Sequence, residues 1–321
     1  MAFRQLLLSL IIATSPAILM AQTVWPTQPI RVIIPYAPGG DADVTLRTLV
    51  NKVSQSIQQS IVIEYQPGAS GTIGVRTLAN TKPNGNTLLF SLDSVYTMMP
   101  LLEPNLDFGL QNIKPIMLIT SNNLVLVCNP ATEINSWDKF ISQAKTRSMT
   151  IATGGASSVT SIVLRDIIAK IQTKHSIVPI LAVPFNGTNP AMMATLTGTT
   201  ECTLLSVGPA VQLINANKLN AVVVTGATRT PSLPNTPTLD EMRIPNVFGT
   251  VYQLLSITAG TDDDIIRKIK NAFHDALGDV AIVEALKKIE QYPVDDNSNV
   301  EQQLKSIAAA RATVLKGSLS K

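Results

Sequence analysis

The feature that most constrains this chain is a β-branched run that halts at two glycines and resumes as a helix, between Ile30 and Val50. Ile30, Val32, Ile33 and Ile34 have the composition of a strand covered on both faces, as in a parallel sheet. Pro35 ends the strand. Beyond Asp41, Leu46, Leu49, Val50, Val53 and Ile57 follow at steps of three and four, one face of an amphipathic helix. A strand therefore feeds a helix through a tight loop holding Gly39 and Gly40. Such a loop leaves the first helical amides without intrahelical acceptors, at the positive end of the helix dipole. A small anion fits there, although an empty strand-to-helix turn accounts for the same residues.

The first twenty-one residues read as an export signal, with Arg4 near the start and an apolar run from Leu6 to Met20. That run is too short to span a bilayer, and no other stretch is apolar for long enough. The mature chain is expected to be a soluble periplasmic protein. A formal net charge of +3, reduced by one when Arg4 is removed, sets up no strong field. With 4% aromatic residues and no basic stripe, nucleic acid is not an expected partner. Cys128 and Cys202 sit in apolar strand-like runs, LVLVC and CTLL, and read as two buried free thiols; a disulfide is the alternative in an oxidising compartment. They lie far from His175 and His274 in sequence, so no metal site and no cofactor is expected.

Strand-like runs alternate with helical patterns along nearly the whole chain, which predicts α/β architecture built on parallel sheets. IVIEY (61–65) and TLLFSL (87–92) read as further strands of a first lobe. IMLIT and LVLVC follow one another with only residues 121–123 between them, too few for a helical crossover. That break marks a crossing into a second lobe, with the return between about Val223 and Leu255. The predicted organisation is a leader (1–21), a discontinuous lobe 1 (22–122 and 226–321) and lobe 2 (123–225), with a ligand cleft between two doubly wound lobes.

Four loops can carry binding. In PYAPGGDAD, which includes Tyr36, Ala37, Pro38, Gly39 and Gly40, Asp43 can cap backbone amides or meet a cationic group on a ligand. PGASGTIG has neither the dinucleotide spacing nor the Lys-Ser/Thr ending of a phosphate loop. TGGASSVTS supplies amides and hydroxyls before a helix, among them Gly155, Ala156, Ser157, Ser158, Thr160 and Ser161; a hydroxyl-capped turn explains it almost as well. PFNGTNP, with Phe185, Asn186, Gly187 and Thr188, leads into another helix whose first turn tolerates Pro190.

Taken in order, WPTQPIRVIIPYAPGGDAD, EYQPGASGTIG, KPNGNTLL, VPFNGTNPAM and TRTPSLPNTPTLDEM resemble the Bug family, the periplasmic solute receptors of tripartite tricarboxylate transporters. The resemblance runs from Trp25 through essentially the whole mature chain. It implies a type II periplasmic binding protein that closes around a small carboxylated ligand. It also implies that backbone amides and bridging waters around Ala37 to Gly40 hold a carboxylate, with second-lobe contacts from Gly155 to Thr160 and Phe185 to Thr188. The chain departs from the family pattern at four places. Gln66 stands for the usual arginine, Ser161 for a histidine at the start of the second-lobe helix, Phe185 for a tyrosine, and Leu205 for an acidic residue at the end of the strand ECTLL.

An enzyme needs an activated group, and the sequence offers no nucleophile elbow or metal cluster. His274 shares a helix with Ile266, Ile269 and Phe273 and reads as structural, and His175 reads as solvated. The expected function is a monomeric receptor that captures a small carboxylate and delivers it to membrane permease subunits. A ligand sensor feeding a signalling system, and a doubly wound periplasmic enzyme, are the alternatives.

Overall fold

The structure is a computed structural model describing residues 25–102, 110–156, 158–245, 247, 249–295 and 297–319; the expected export signal lies outside these residues. The chain begins with β1 (Ile30–Ile34), α1 (Asp41–Ile57), β2 (Ile61–Tyr65), α2 (Thr72–Ala79) and β3 (Thr87–Leu92). Two helical turns, α3 (Ser94–Thr97) and α4 (Met99–Leu102), precede β4 (Ile113–Asn122). A second alternation follows: β5 (Leu124–Cys128), α5 (Trp137–Thr146), β6 (Met149–Thr153), α6 (Val159–Lys174), β7 (Ile180–Pro184), α7 (Thr188–Leu196), β8 (Cys202–Ser206), α8 (Val207–Asn215) and β9 (Asn220–Val224). The chain ends with β10 (Val251–Thr258), α9 (Asp263–Leu277), α10 (Val280–Lys288), β11 (Tyr292–Pro293) and α11 (Val300–Leu319).

These strands form two sheets, one in the order β11-β4-β10-β3-β1-β2 and the other β7-β6-β8-β5-β9. The first sheet carries the β1 pattern as read from sequence. Ile30, Val32 and Ile34 pack against Leu46, Leu49 and Val53 of α1, while Ile33 packs on the other face against Val75 and Leu78 of α2. All four strand residues are fully buried, each worth roughly 1.5–3 kcal/mol of apolar transfer. Both faces of β5 are covered in the same way, Leu124 and Leu126 by the core under α5 and α6, Val125 and Val127 by the core under α8.

Neither sheet is all parallel, as had been expected. β1 pairs in parallel with β2 and β3, and β6 with β7 and β8, but β10 is antiparallel to β3 and β4, and β5 to β8 and β9. The cause is the pair of crossings. Chain leaves the first sheet at β4 and enters the second at β5 through Asn123 alone; it returns from β9 to β10 in the opposite sense. The strand at a crossing, β10 in the first sheet and β5 in the second, therefore runs against its neighbours, and the short β11 is antiparallel to β4 as well. The strand at Val251–Thr258 was not predicted at all, because Gln253 and Ser256 interrupt its apolar pattern.

The crossings are fastened to each other. Thr225 Oγ1 accepts a hydrogen bond from the Leu124 amide at 3.0 Å and donates to the Gly249 carbonyl at 3.0 Å, and Thr250 Oγ1 donates to Asn123 Oδ1 at 3.3 Å. A Cβ on Gly249 would lie 2.3 Å from Thr225 Cβ, so only glycine permits this approach. Nearby, the buried Arg311 of α11 forms an ion pair with the buried Asp93, hydrogen-bonds Thr97, and donates to the Thr250 carbonyl at 3.3 Å.

Cys128 and Cys202 are joined in a disulfide, correcting the expectation of two free thiols. The reason is register: β5 and β8 are adjacent antiparallel strands and place the two cysteines directly opposite each other. Two predictions follow from these fastenings. Replacing both cysteines with serine should lower unfolding stability by about 4 kcal/mol, the chain-entropy value for a 74-residue separation, as read from denaturant unfolding with and without reductant. Arg311→Leu should cost about 3–5 kcal/mol in the same measurement, since it strands the Asp93 carboxylate in the interior.

Candidate functional site

Strands β1 and β3 run in parallel, so their carboxyl ends share one edge of the first sheet; β6, β7 and β8 likewise end on one edge of the second. The four loops singled out in the sequence, which follow β1, β2, β6 and β7, emerge at these two edges. On the first edge, Ala37, Pro38, Gly39 and Gly40 are exposed and α1 begins immediately after them. Gly39 has φ +81°, a left-handed conformation that glycine adopts without strain. Gly40 is the N-cap and has no side chain, so no side-chain hydrogen bond caps the first turn of α1. Tyr36 points away from this loop: its hydroxyl accepts from the Leu92 amide at 3.2 Å, and burial pushes its pKa up to about 12.

Asp43 takes the first of the two roles open to it. Its Oδ2 accepts from the Gly39 amide at 2.8 Å, and its Oδ1 accepts from Arg47 Nε and the Tyr65 hydroxyl, both at 2.7 Å. Burial pushes its carboxyl pKa up, but the bonds from Gly39, Tyr65 and Arg47 together outweigh burial and hold it below the usual range. Asp43 thus shapes the loop from beneath, and the amides left for a ligand are those at the start of α1.

On the second edge, the loop after β6 is tied to itself. Ser158 is the N-cap of α6 and accepts from the Ser161 amide at 3.2 Å, while its hydroxyl donates to the Gly155 carbonyl at 2.7 Å. Thr160 Oγ1 lies 2.9 Å from Ser158 Oγ and accepts from the Gly154 amide at 3.1 Å. Thr160 and Ser161 are buried and Ala156 is exposed; Ser157 lies outside the described residues. The loop after β7 differs. Its Phe185 amide donates to the Thr153 carbonyl at 2.9 Å and its Gly187 amide to the Gly154 carbonyl at 3.2 Å, which clamps the two loops side by side. Asn186 is exposed, Thr188 opens α7, and the N-cap Gly187 (φ +116°) provides no side-chain cap. Three helices at these edges start on a glycine that offers no side-chain cap: α1 behind Gly40 and α2 behind Gly71 on the first, and α7 behind Gly187 on the second.

Leu205 faces the core. It is fully buried with Val125, Val127, Val207 and Ala210, because the strand alternation turns it into the core beneath α8. The next residue, Ser206, ends β8 and reaches the other lobe. Its hydroxyl lies beside the carboxylate of Asp41, the first residue of α1, and Asn122 Nδ2 donates to the same carboxylate at 3.3 Å. This contact brings the two sheet edges face to face. Asp41, Asn122 and Ser206 were missed in the sequence reading, although each sits where a strand or glycine loop ends, the signal that located the other loops.

Two surface cavities lie elsewhere. One, of about 460 Å³, is lined by Trp137, Lys145, Lys174, His175 and Arg243 at the far end of α6 from its glycine loop. The other, of about 430 Å³, sits by Arg31 and Thr87 at the amino ends of β1 and β3. His274 is exposed in the last turn of α9, and His175 has its pKa lowered by burial and by Lys145 and Lys174. Among the described residues, no cluster of His, Cys, Asp and Glu could hold a metal ion, and no helix is long and apolar enough to cross a membrane.

Residues 45–316 match the sequence family described as "Tripartite tricarboxylate transporter family receptor" (TctC). Protein BugT of Bordetella pertussis is 28% identical over 263 residues, covering 81% of this chain and 80% of its own length. A solved structure described as a periplasmic transporter superposes with a TM-score of 0.81 at 26% identity, covering 91% of this chain and 97% of that one. The fold is shared at 22% identity with MatC from Rhodopseudomonas palustris, solved with malate (TM-score 0.79; 91% and 100% covered). It is shared at 21% with a second R. palustris protein, solved with adipate (TM-score 0.82; 91% and 97% covered). The two-lobed periplasmic binding protein fold and the match over most of the sequence agree: this chain belongs to the tripartite tricarboxylate transporter receptor family, the Bug or TctC solute receptors.

Proposed function

We propose that this protein is an exported receptor that closes on a small carboxylated molecule between its lobes and hands it to a membrane permease. The observation that carries the reading is the pair of glycine-capped helix N-termini, α1 behind Gly40 and α7 behind Gly187, on sheet edges that face each other. Each offers amides without intrahelical acceptors and the positive end of a helix dipole. An anion held between them gains charge-assisted hydrogen bonds from both lobes, so binding and closure reinforce each other. No activated nucleophile or base is needed for that task. The malate and adipate seen in relatives of the same fold are small carboxylates, in keeping with this reading.

The lobes of this reading are 22–122 with 226–321, and 123–225, and the crossings at Asn123 and at Thr225 to Thr250 serve as the hinge. Export through the leader at 1–21 delivers the receptor to the periplasm, where its family works.

Gly40 offers a clean test. Its φ of −83° suits any residue, and an added Cβ would meet only the Ala37 carbonyl, at an ordinary 3.7 Å. Gly40→Val should therefore fold with an unchanged melting temperature while its side chain blocks the amides of α1. In a thermal-shift screen of mono-, di- and tricarboxylates, amino acids and aromatic acids, a specific ligand at a hundredfold excess over Kd should stabilise the wild type by about 2.7 kcal/mol. Gly40→Val should lose at least about tenfold in affinity, or 1.4 kcal/mol. Equal binding by variant and wild type, or stabilisation by uncharged compounds alone, would sink the proposal.

A further inference from the structure

We propose that Asp41 makes this receptor selective for zwitterions, small molecules carrying a protonated amine beside their carboxylate, with the amine lying against Asp41 and Asn122. The inference rests on the carboxylate reading above and specifies the second group of the ligand. It begins from a carboxylate that has no counter-charge among the described residues. Asp41 stands between the facing sheet edges, and its partners are the Asn122 amide and the Ser206 hydroxyl, both neutral.

The same helix shows what a supplied counter-charge looks like. Asp43, two residues on, has Arg47 one turn later, and the two form an ion pair at 2.7 Å. The residue one turn after Asp41 is Thr45, fully buried, whose hydroxyl itself has no hydrogen-bond partner. A solvated acid at a helix start would need no such partner, since the dipole alone favours it there. Asp41 is turned instead towards β4 and β8, where burial raises its pKa.

Asn122 supplies the second, independent observation. It is 3% exposed, its Nδ2 is committed to Asp41, and its Oδ1 is buried with no partner. An unfilled carbonyl acceptor beside an uncompensated carboxylate calls for a group with several N–H donors and a positive charge, and an ammonium has three donors and no acceptor. A second carboxylate at this place would meet the like charge of Asp41 and leave the Asn122 Oδ1 acceptor unfilled. The amides at the start of α1 and the Asp41 side chain thus read opposite charges a few ångströms apart, the pattern of an aminocarboxylate.

The test is a calorimetric titration of wild type and Asp41→Asn with length-matched pairs: 4-aminobutyrate against succinate, 5-aminopentanoate against glutarate, and L-alanine and L-glutamate against propionate and glutarate. The expected result is at least one aminocarboxylate that binds wild type about 30-fold or more tightly than its matched acid, the scale for a desolvated charge pair. In Asp41→Asn, which is isosteric, that ratio should fall close to one with the melting temperature of the free protein held or raised. If an acid without an amine binds wild type more tightly than every matched aminocarboxylate, the zwitterion inference is overturned and the carboxylate reading stands. Retention of the full preference by Asp41→Asn overturns it too. Binding of none of these compounds overturns the zwitterion inference, and the wider carboxylate screen above then decides the carboxylate reading. Should the variant fail to fold, the wild-type ratios decide the matter alone.

Discussion

A helix that starts on glycine has no side chain with which to satisfy its own first amides, and the binding architecture of this protein depends on that omission. Behind Gly40, α1 begins at the carboxyl edge of the first sheet without a cap; behind Gly187, α7 does the same on the second. A capping side chain would cost nothing in local geometry at Gly40, where one fits, whereas the φ of +116° at Gly187 favours glycine. Serine or aspartate at an N-cap typically stabilises a helix by about 1 kcal/mol. Leaving that out makes sense when a ligand supplies the missing acceptor.

The surrounding residues keep the open amides in position. Asp43, Arg47 and Tyr65 brace the first loop from below and consume the Gly39 amide, so the loop is rigid without its exposed face being filled. In the second lobe, the hydroxyl-rich loop before α6 satisfies itself through Ser158 and Thr160, and serves as a wall to which the α7 loop is clamped. The disulfide fastens β5 to β8, and the Thr225 contacts tie the two crossings together. In the proposed receptor, closure of the two lobes about these short connections is the motion that ligand binding would drive.

Much of this was legible in the residues. The strand-loop-helix unit at Ile30 to Ile57 and the strands at 61–65 and 87–92 follow from patterns whose period is unambiguous, and both faces of β1 are buried as its composition requires. The crossing at Asn123 was visible because two strands stood too close together for a helix. Other features depend on pairing, which a single sequence does not encode locally. β10 escaped notice since Gln253 and Ser256 are polar, yet both are buried between neighbouring strands, Gln253 bonded to Gln291 and Ser256 to Tyr96. The disulfide needed the register of β5 on β8. At the end of β8 the reading erred by one residue: Leu205 faces the core and Ser206 faces the cleft, because consecutive strand residues point to opposite sides. Asp41 was overlooked for a related reason, since its partners Asn122 and Ser206 are distant in sequence and meet it only across the fold.

The most direct test of the central claim is a crystal structure of the receptor with the tightest carboxylate found by screening. The account predicts a closed cleft, with the ligand carboxylate within 3.2 Å of backbone amides at the start of α1, the upper range for N–H to O bonds. A ligand bound instead in the cavity beside Trp137 and Lys174, with the amides behind Gly40 facing only solvent, would contradict it.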